Sequence, residues 1–525
     1  MTGQRERGAD ERNANSSTHR TTSRRVYHVL LALSLAACRG PARAPDRLTM
    51  LVLSRPEHLD PRHPEDALGA SLGKLLYRGL MEGDPVTFLP RPALAVGANW
   101  VDATRYRVTL RSDARFHDGT PVTADDVVAT YESVLDASQH SRLRTTYARL
   151  LRAVRAVDPR TIDFELHRPD GSLETLLQLG ILPQRDARAL ERRPEEIARE
   201  ALVGSGPMRL ARYAPDSLSL DANGAGAAFR ALDVVTLHDP NTLALRLLHG
   251  EGDVAELKPE LYPLFEGRAD FEVASARTSG MTYLGVHCEH GALVDVAVRR
   301  ALAMAIDRAS LQRAMLGARA VASTGVLPPS HWAYTSEVAR YPFDPAAARR
   351  ALVAARGESA PPLRLTLRVS SQRFAITVAQ ALTAMLHDVG VEVDVRPSEL
   401  ATLLSDLRAG RFDLTLLTVP DLSDPFGLGF WFGSASIPTP ANPTAGGNRW
   451  RFRDTALDEA LDQGLRALGP DARRPHYQRA QQVLAEQLPV IPLWHADVVF
   501  ALRRPYRGLR PRGDGQLDFL LRLTR

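Results

Sequence analysis

The chain has 525 residues, too many for one ordinary hydrophobic core, so two or three lobes are expected. Hydrophobic residues make up 44% and charged residues 24%, which is globular composition and excludes a wholly disordered chain. The formal charge is +5, but residues 1–37 hold six arginines against three acids; the remainder carries only +2, and no basic field points to nucleic acid as a partner.

Arg24 and Arg25 precede the apolar run VYHVLLALSLAAC, which ends at Cys38. A run of about a dozen residues is too short to cross ~30 Å of hydrocarbon, so residues 1–37 read as an export signal. LAAC (Leu35 to Cys38) resembles the bacterial lipobox, which implies a lipid on Cys38 and a membrane anchor through it. An ordinary secretory signal with an incidental cysteine is the alternative. Residues 38–47 contain RGPARAPD, a Pro- and Arg-rich tether. Cys288 is the only other cysteine, so a lipidated Cys38 leaves no intramolecular disulfide.

Residues 48–54 run apolar as a strand, and 68–81 space apolar residues as a helix. Strict alternation predicts strands over 105–116 and 161–169, so the stretch from about 80 to 170 reads as antiparallel β. ETLLQLGILP (174–183) and PEEIAREALV (194–203) read as helices, and 204–213 turns into a strand. Residues 231–257 read strand, helix, strand. The spacing predicts one long helix within 294–316, with Asp295 as its N-cap. Strands at 363–370, 391–397 and 412–419 alternate with helices at 374–388 and 399–408, a pattern of parallel strands with crossover helices. A helix over 475–488 leads into a final strand region.

Four motifs carry possible chemistry. RFHDGTPVTADDV (115–127) contains a His117–Asp118 pair. Yet Asp118-Gly119 is a turn signal, and Thr123 with Asp126 makes a variant capping box. Only His117 lacks a structural role there, and no nucleophile accompanies it. HCEH (287–290) is the best metal candidate, but as a continuation of the strand MTYLGV it would converge too few ligands. VGSGP (203–207) lacks the spacing of a nucleophile elbow. No P-loop, Gly-x-Gly-x-x-Gly or His-Glu-x-x-His occurs, so neither catalytic residues nor a cofactor are expected. The last motif, VPDLSDPFGLGFWFG (419–433), follows the final strand of the alternating region. It puts Asp421 and Asp424 beside Phe426, Phe430, Trp431 and Phe432. Carboxylates near aromatics suit a cationic or amphipathic ligand; a polar loop over an aromatic core is the alternative.

LDPRHPEDALGASLGKLLYRGLM, RFHDGTPVTADDVVATYESVLD, GSGPMRL, EGDVAEL, VDVAVRRALAMAIDR, YPFDPAAARRALVAA and AEQLPVIPLWH occur in this order. Together they resemble the solute-binding proteins of ABC importers, in the oligopeptide, dipeptide and nickel class (family 5). The resemblance implies an α/β fold of the periplasmic-binding-protein type II, cluster C: two α/β lobes around a cleft, with an extra small inserted α+β lobe. Lobe I would comprise 48–76, 203–276 and 488–525, lobe II 77–202, and lobe III 277–487.

It further implies an extracytoplasmic, lipid-anchored monomer that closes on a short peptide and delivers it to ABC permease subunits. Asp421 would pair with the ligand's α-ammonium. Leu417, Thr418 and Val419 before it and Asp424 after it complete that side, and Glu65, Asp66 and Ala67 offer backbone groups from the early loop. Departures are visible: Thr418 and Leu422 stand where the family usually has Trp and Tyr, Pro420 directly precedes the aspartate, and His287 replaces a frequent Asn. A metal chelate or other small amphipathic solute, a non-transport sensor lipoprotein, and an exported hydrolase are the alternative readings.

Overall fold

The structure is a computed structural model and describes residues 46–189, 202–214, 216–224, 227–442 and 446–525. The signal segment, Cys38, most of the tether and all but the last two residues of the helix expected over 194–203 lie outside these.

Among the described residues twelve strands share one sheet, organised by the 14-residue strand Val490–Arg503. Its first half pairs antiparallel with Met281–Val286 and Ala320–Ala322. Its second half pairs antiparallel with Phe271–Arg277 and Val254–Glu256. From the first half the sheet continues through Leu414–Val419, Leu363–Ser370 and Val391–Ser398; from the second through Arg47–Val52, Ala231–Thr236, Ser217–Ala222 and Met208–Ala214. Leu363–Ser370 runs parallel to both Val391–Ser398 and Leu414–Val419. Helices Arg373–His387 and Leu400–Arg408 are the crossovers this arrangement requires, as the strand–helix alternation predicts.

One face of the sheet carries a single core from Val391–Ser398 across to Arg47–Val52, including Leu51, Ala255, Leu284, Leu367, Trp494 and Val499. The other face is divided. Val52, Leu72, Phe500 and Phe519 belong to one core, and Tyr283, Val419, Trp450 and Tyr477 to another. A cavity of about 720 Å³, lined by Ala276, Ser330 and Phe519 among others, lies at this division.

The β-rich stretch forms its own four-stranded antiparallel sheet, in the order Ala95–Asp102, Arg105–Leu110, Thr161–Leu166, Leu151–Asp158. It has a separate core around Tyr106, Tyr131 and Phe164, with the Tyr131 and Phe164 rings edge to face at 5.0 Å.

Local chemistry accounts for the element ends. Asp66, Asp239, Asp295, Asp307, Asp344 and Asp454 each cap a helix by accepting a backbone N–H of its first turn. The helix expected within 294–316 is two, Val296–Met304 and Arg308–Leu316, because Asp307 accepts the Ser310 amide and starts a second helix. The last helix begins earlier than its periodicity shows, at Pro470, where proline sits in the first turn without losing a bond. In RFHDGTPVTADDV, Asp126 reaches back to the Thr123 amide at 2.8 Å. His117 does have a structural role: Nδ1 accepts the Gly204 N–H at 3.1 Å and Nε2 donates to the Gly206 carbonyl at 3.0 Å. VGSGP is glycine-rich because a Cβ on Gly204 or Gly206 would lie 1.9 or 2.1 Å from the Leu76 or Leu75 carbonyl oxygen.

Candidate functional site

The strand Leu414–Val419 has one closed edge and one open edge. It pairs along its whole length with Met281–Val286. The His287 N–H donates to the Asp413 carbonyl at 2.9 Å, so the odd-numbered residues 413 to 419 bond toward that neighbour. The backbone groups of Leu416 and Thr418 therefore point the other way. On that side Leu363–Ser370 pairs only at Leu367 with Leu414 and at Arg368 with Thr415. The Arg368–Thr415 pairing uses the Leu416 amide, so the edge is free from the Leu416 carbonyl onward among the described residues.

This edge runs into the exposed Asp421. Asp421 Oδ1 accepts from the Ser279 hydroxyl at 2.7 Å and from the Ser423 amide at 2.8 Å. Ser279 also accepts the Leu422 amide at 3.0 Å, so the loop is fastened to the link between Phe271–Arg277 and Met281–Val286. Asp424 is placed differently. Arg473 grips both its oxygens, at 2.6 and 3.0 Å, the Thr175 hydroxyl donates at 2.5 Å and the Phe426 amide at 2.9 Å. Its side chain is 2% exposed. Burial alone would raise the Asp424 carboxyl, but the Arg473 charge and these hydrogen bonds hold it below the usual range. Its carboxylate is thus committed inside the protein, and Asp421 is the exposed acid of the pair.

The other expected residues divide in the same way. Val419 is fully buried and Leu417 half-buried, while Thr418 is exposed, its hydroxyl 2.9 Å from that of Thr282. Asp66 is spent as a cap, accepting the Gly69 amide at 2.7 Å and the Glu57 amide at 2.8 Å. Glu65 pairs with Arg142 at 3.1 Å on the surface, a contact of little energetic weight. Ala67 is exposed and lines a cavity of about 320 Å³ with Glu256, Lys258, Val498 and Phe500. Val498 follows closely on Ala496, where the long strand passes from one half of the sheet to the other. There the Thr278 hydroxyl and amide both donate to the Ala496 carbonyl, at 3.0 and 3.2 Å, and Arg277 pairs with Asp497.

HCEH does not continue the strand. Met281–Val286 ends before it, and the His290 amide turns back to the His287 carbonyl. His290 pairs with Asp413, and burial pushes the Cys288 thiol up to about 11. Among the described residues no group of three or more His, Cys, Asp or Glu could hold a metal ion. Among them, too, no helix is long and apolar enough to cross a membrane.

Sequence reasoning missed Ser279 and Thr282. Only the run TSG (278–280) gave a signal, as small residues between two strands.

Comparison with known proteins agrees with this architecture. Residues 90–437 match the family described as bacterial extracellular solute-binding proteins, family 5 Middle. A probable di/tripeptide-binding protein 5 of Pseudomonas aeruginosa is 27% identical over 451 residues, 80% of this chain and 84% of that protein. The substrate-binding protein CtaP of Listeria monocytogenes superposes with a TM-score of 0.81 at 22% identity, over 92% of this chain and 99% of that one. NikZ of Campylobacter jejuni, in complex with Ni(L-His), superposes at 0.77 with 20% identity, over 92% and 100%. The chain belongs to family 5 of the bacterial extracellular solute-binding proteins.

Proposed function

We propose that this solute-binding protein encloses a short peptide and presents it to the permease of an ABC importer, from a lipid anchor at Cys38. The observation that carries the reading is the open edge at the Leu416 carbonyl and the Thr418 backbone, ending at the exposed Asp421. An extended peptide can add to such an edge by main-chain hydrogen bonds, which are indifferent to side chains. Its α-ammonium then meets the Asp421 carboxylate. The di/tripeptide-binding relative supports the same ligand class.

Closure supplies the rest of the affinity. The chain crosses between the two halves of the sheet in the link 277–281 and at Ala496–Asp497, and rotation there would bring the Ala67 side toward Asp421. Ligand then shifts the open–closed equilibrium by its preference for the closed form. Desolvation on closure makes the ammonium–carboxylate pair stronger than a surface pair.

Mass spectrometry of small molecules retained by the purified full chain should find di- or tripeptides, and a metal chelate or a non-peptide in their place would overturn the reading. Asp421→Asn keeps the acceptor for Ser279 but removes the charge. Peptide affinity by calorimetry should fall by about 30-fold or more. The same preparation reports the anchor: the mature N-terminus should be a diacylated Cys38, and an unmodified cleaved terminus would remove that part.

A further inference from the structure

The segment that carries the four-stranded sheet leaves the chain after helix Ala67–Leu76 and returns at Gly204. It is fastened to the half of the molecule that holds Arg47–Val52. His117 accepts the Gly204 amide at 3.1 Å, the Ser141 hydroxyl donates to the Arg62 carbonyl at 2.7 Å, and Arg512 donates to the Gly83 carbonyl at 2.8 Å. To the half that holds Leu414–Val419 it has no covalent link.

It nevertheless reaches that half. The Gly171 amide donates to the Leu465 carbonyl at 2.7 Å, the Thr175 hydroxyl to Asp424 at 2.5 Å, and the Thr87 carbonyl accepts the Trp332 amide at 3.3 Å. The backbones meet closely at Gly171, which is buried. A Cβ there would lie 2.2 Å from the Ala467 carbonyl oxygen and 2.8 Å from Arg473 Cδ, both across the seam. Only glycine allows that approach. Asp424, which Thr175 grips, ends the loop that begins at Asp421.

We infer that this segment is the latch of the closed form. It moves with the Arg47–Val52 half and meets Asp424 and residues 465–473 only when the cleft is shut. The inference rests on the hinge reading above. Opening lifts the Thr175 hydroxyl off Asp424 but leaves Arg473 in place, so no ion pair breaks. The latch raises ligand affinity through residues that touch no ligand, by favouring the closed form. Its effect belongs to dissociation. Peptide enters the open form, where the seam is unmade, whereas escape requires the seam to part.

The test uses the full chain with tri-alanine, tri-leucine and Ala-Phe, in calorimetry and stopped-flow tryptophan fluorescence, beside urea unfolding without peptide. Gly171→Ala sets a methyl against the Ala467 carbonyl in the closed form alone. Thr175→Val removes the hydroxyl and keeps the shape. Each should speed dissociation of the tightest-binding probe about 10-fold and weaken its affinity by the same factor, while association stays within about 2-fold of wild type. Peptide-free urea midpoints of both variants should match wild type, because the open form lacks the seam. Wild-type dissociation in either variant would overturn the inference, since the seam would then carry no weight. So would a lowered peptide-free midpoint in either, since the seam would then be permanent. Both results leave the peptide reading standing. If wild type binds no probe, the peptide reading fails and the peptide-free midpoints still decide the latch.

Discussion

Arg473 illustrates what a single buried ion pair does in this chain. Its side chain is 4% exposed, its guanidinium lies over the rings of Trp332 and Tyr477, each 5.3 Å away, and both its terminal nitrogens serve Asp424. Through Asp424 it also reaches Thr175, on the inserted lobe as the resemblance divides the chain. Taking two charges out of water costs much of what their attraction returns, so the pair adds little net stability while intact. Removing one partner is another matter. Arg473→Met should cost about 3–5 kcal/mol in urea unfolding, because the Asp424 carboxylate is left buried without its cation. Asp424→Asn with Arg473→Met should recover part of that loss. Strict additivity of the two changes would mean that the contact carries no coupling.

At the scale of elements, the link between Phe271–Arg277 and Met281–Val286 is tight around Gly280. A Cβ there would lie 2.8 Å from the Val419 carbonyl oxygen and 2.9 Å from that of Pro420. Both are backbone, and the chain they belong to leads directly into Asp421. Gly280→Ala should therefore cost about 1–3 kcal/mol in stability and lower peptide affinity too, since the Asp421 loop must move to admit the methyl. Wild-type values in both urea unfolding and calorimetry would show that the link has room to spare. This kind of constraint also marks the limit of what the sequence shows. The alternation between 363 and 419 was legible because each element carries its own period. The antiparallel insert and the Asp295 cap were legible for the same reason, as was Asp421 at the end of its strand. The open edge at Leu416 was not, because it depends on where Leu363–Ser370 stops pairing, and no local pattern records that. Nor was Asp424 separable from Asp421, since Arg473 stands 49 residues away.

Across the whole molecule, three neutral histidines sit where separate regions of the chain meet. His117 joins the turn after Arg105–Leu110 to Gly204 and Gly206. His331 donates to the Ser423 carbonyl and stacks on Phe88, which follows Met81–Gly83. His495, on the long strand, lies 2.8 Å through Nδ1 from the Gly280 carbonyl and 2.9 Å through Nε2 from the Ser323 hydroxyl. Burial lowers all three, and it takes His331 and His495 down to about 4. His117 and His331 each use one nitrogen as an acceptor, from the Gly204 and Ala333 amides, and so need an unprotonated ring, whereas at His495 both nitrogens face oxygens and burial is what disfavours the proton. The sign follows from linkage. A histidine in the unfolded chain takes up its proton near 6.5, whereas in the fold it resists, so acid favours the unfolded state. The stability these rings support is fully present above pH 6.5 and is lost as pH falls from there to about 4. Shifts of this size correspond to roughly 3 kcal/mol for each of His331 and His495. Asp424 does not confuse the reading, since its lowered carboxyl withdraws support only below the ordinary carboxylate range. Urea midpoints measured between pH 7.5 and 4.5 should fall steadily, and most steeply below 6. His495→Gln should be less stable at pH 7.5 yet show a shallower decline, because one of the resisting groups is gone. A midpoint that stays level across this window would mean that the seams admit water, and that acid reaches these rings without prising the regions apart.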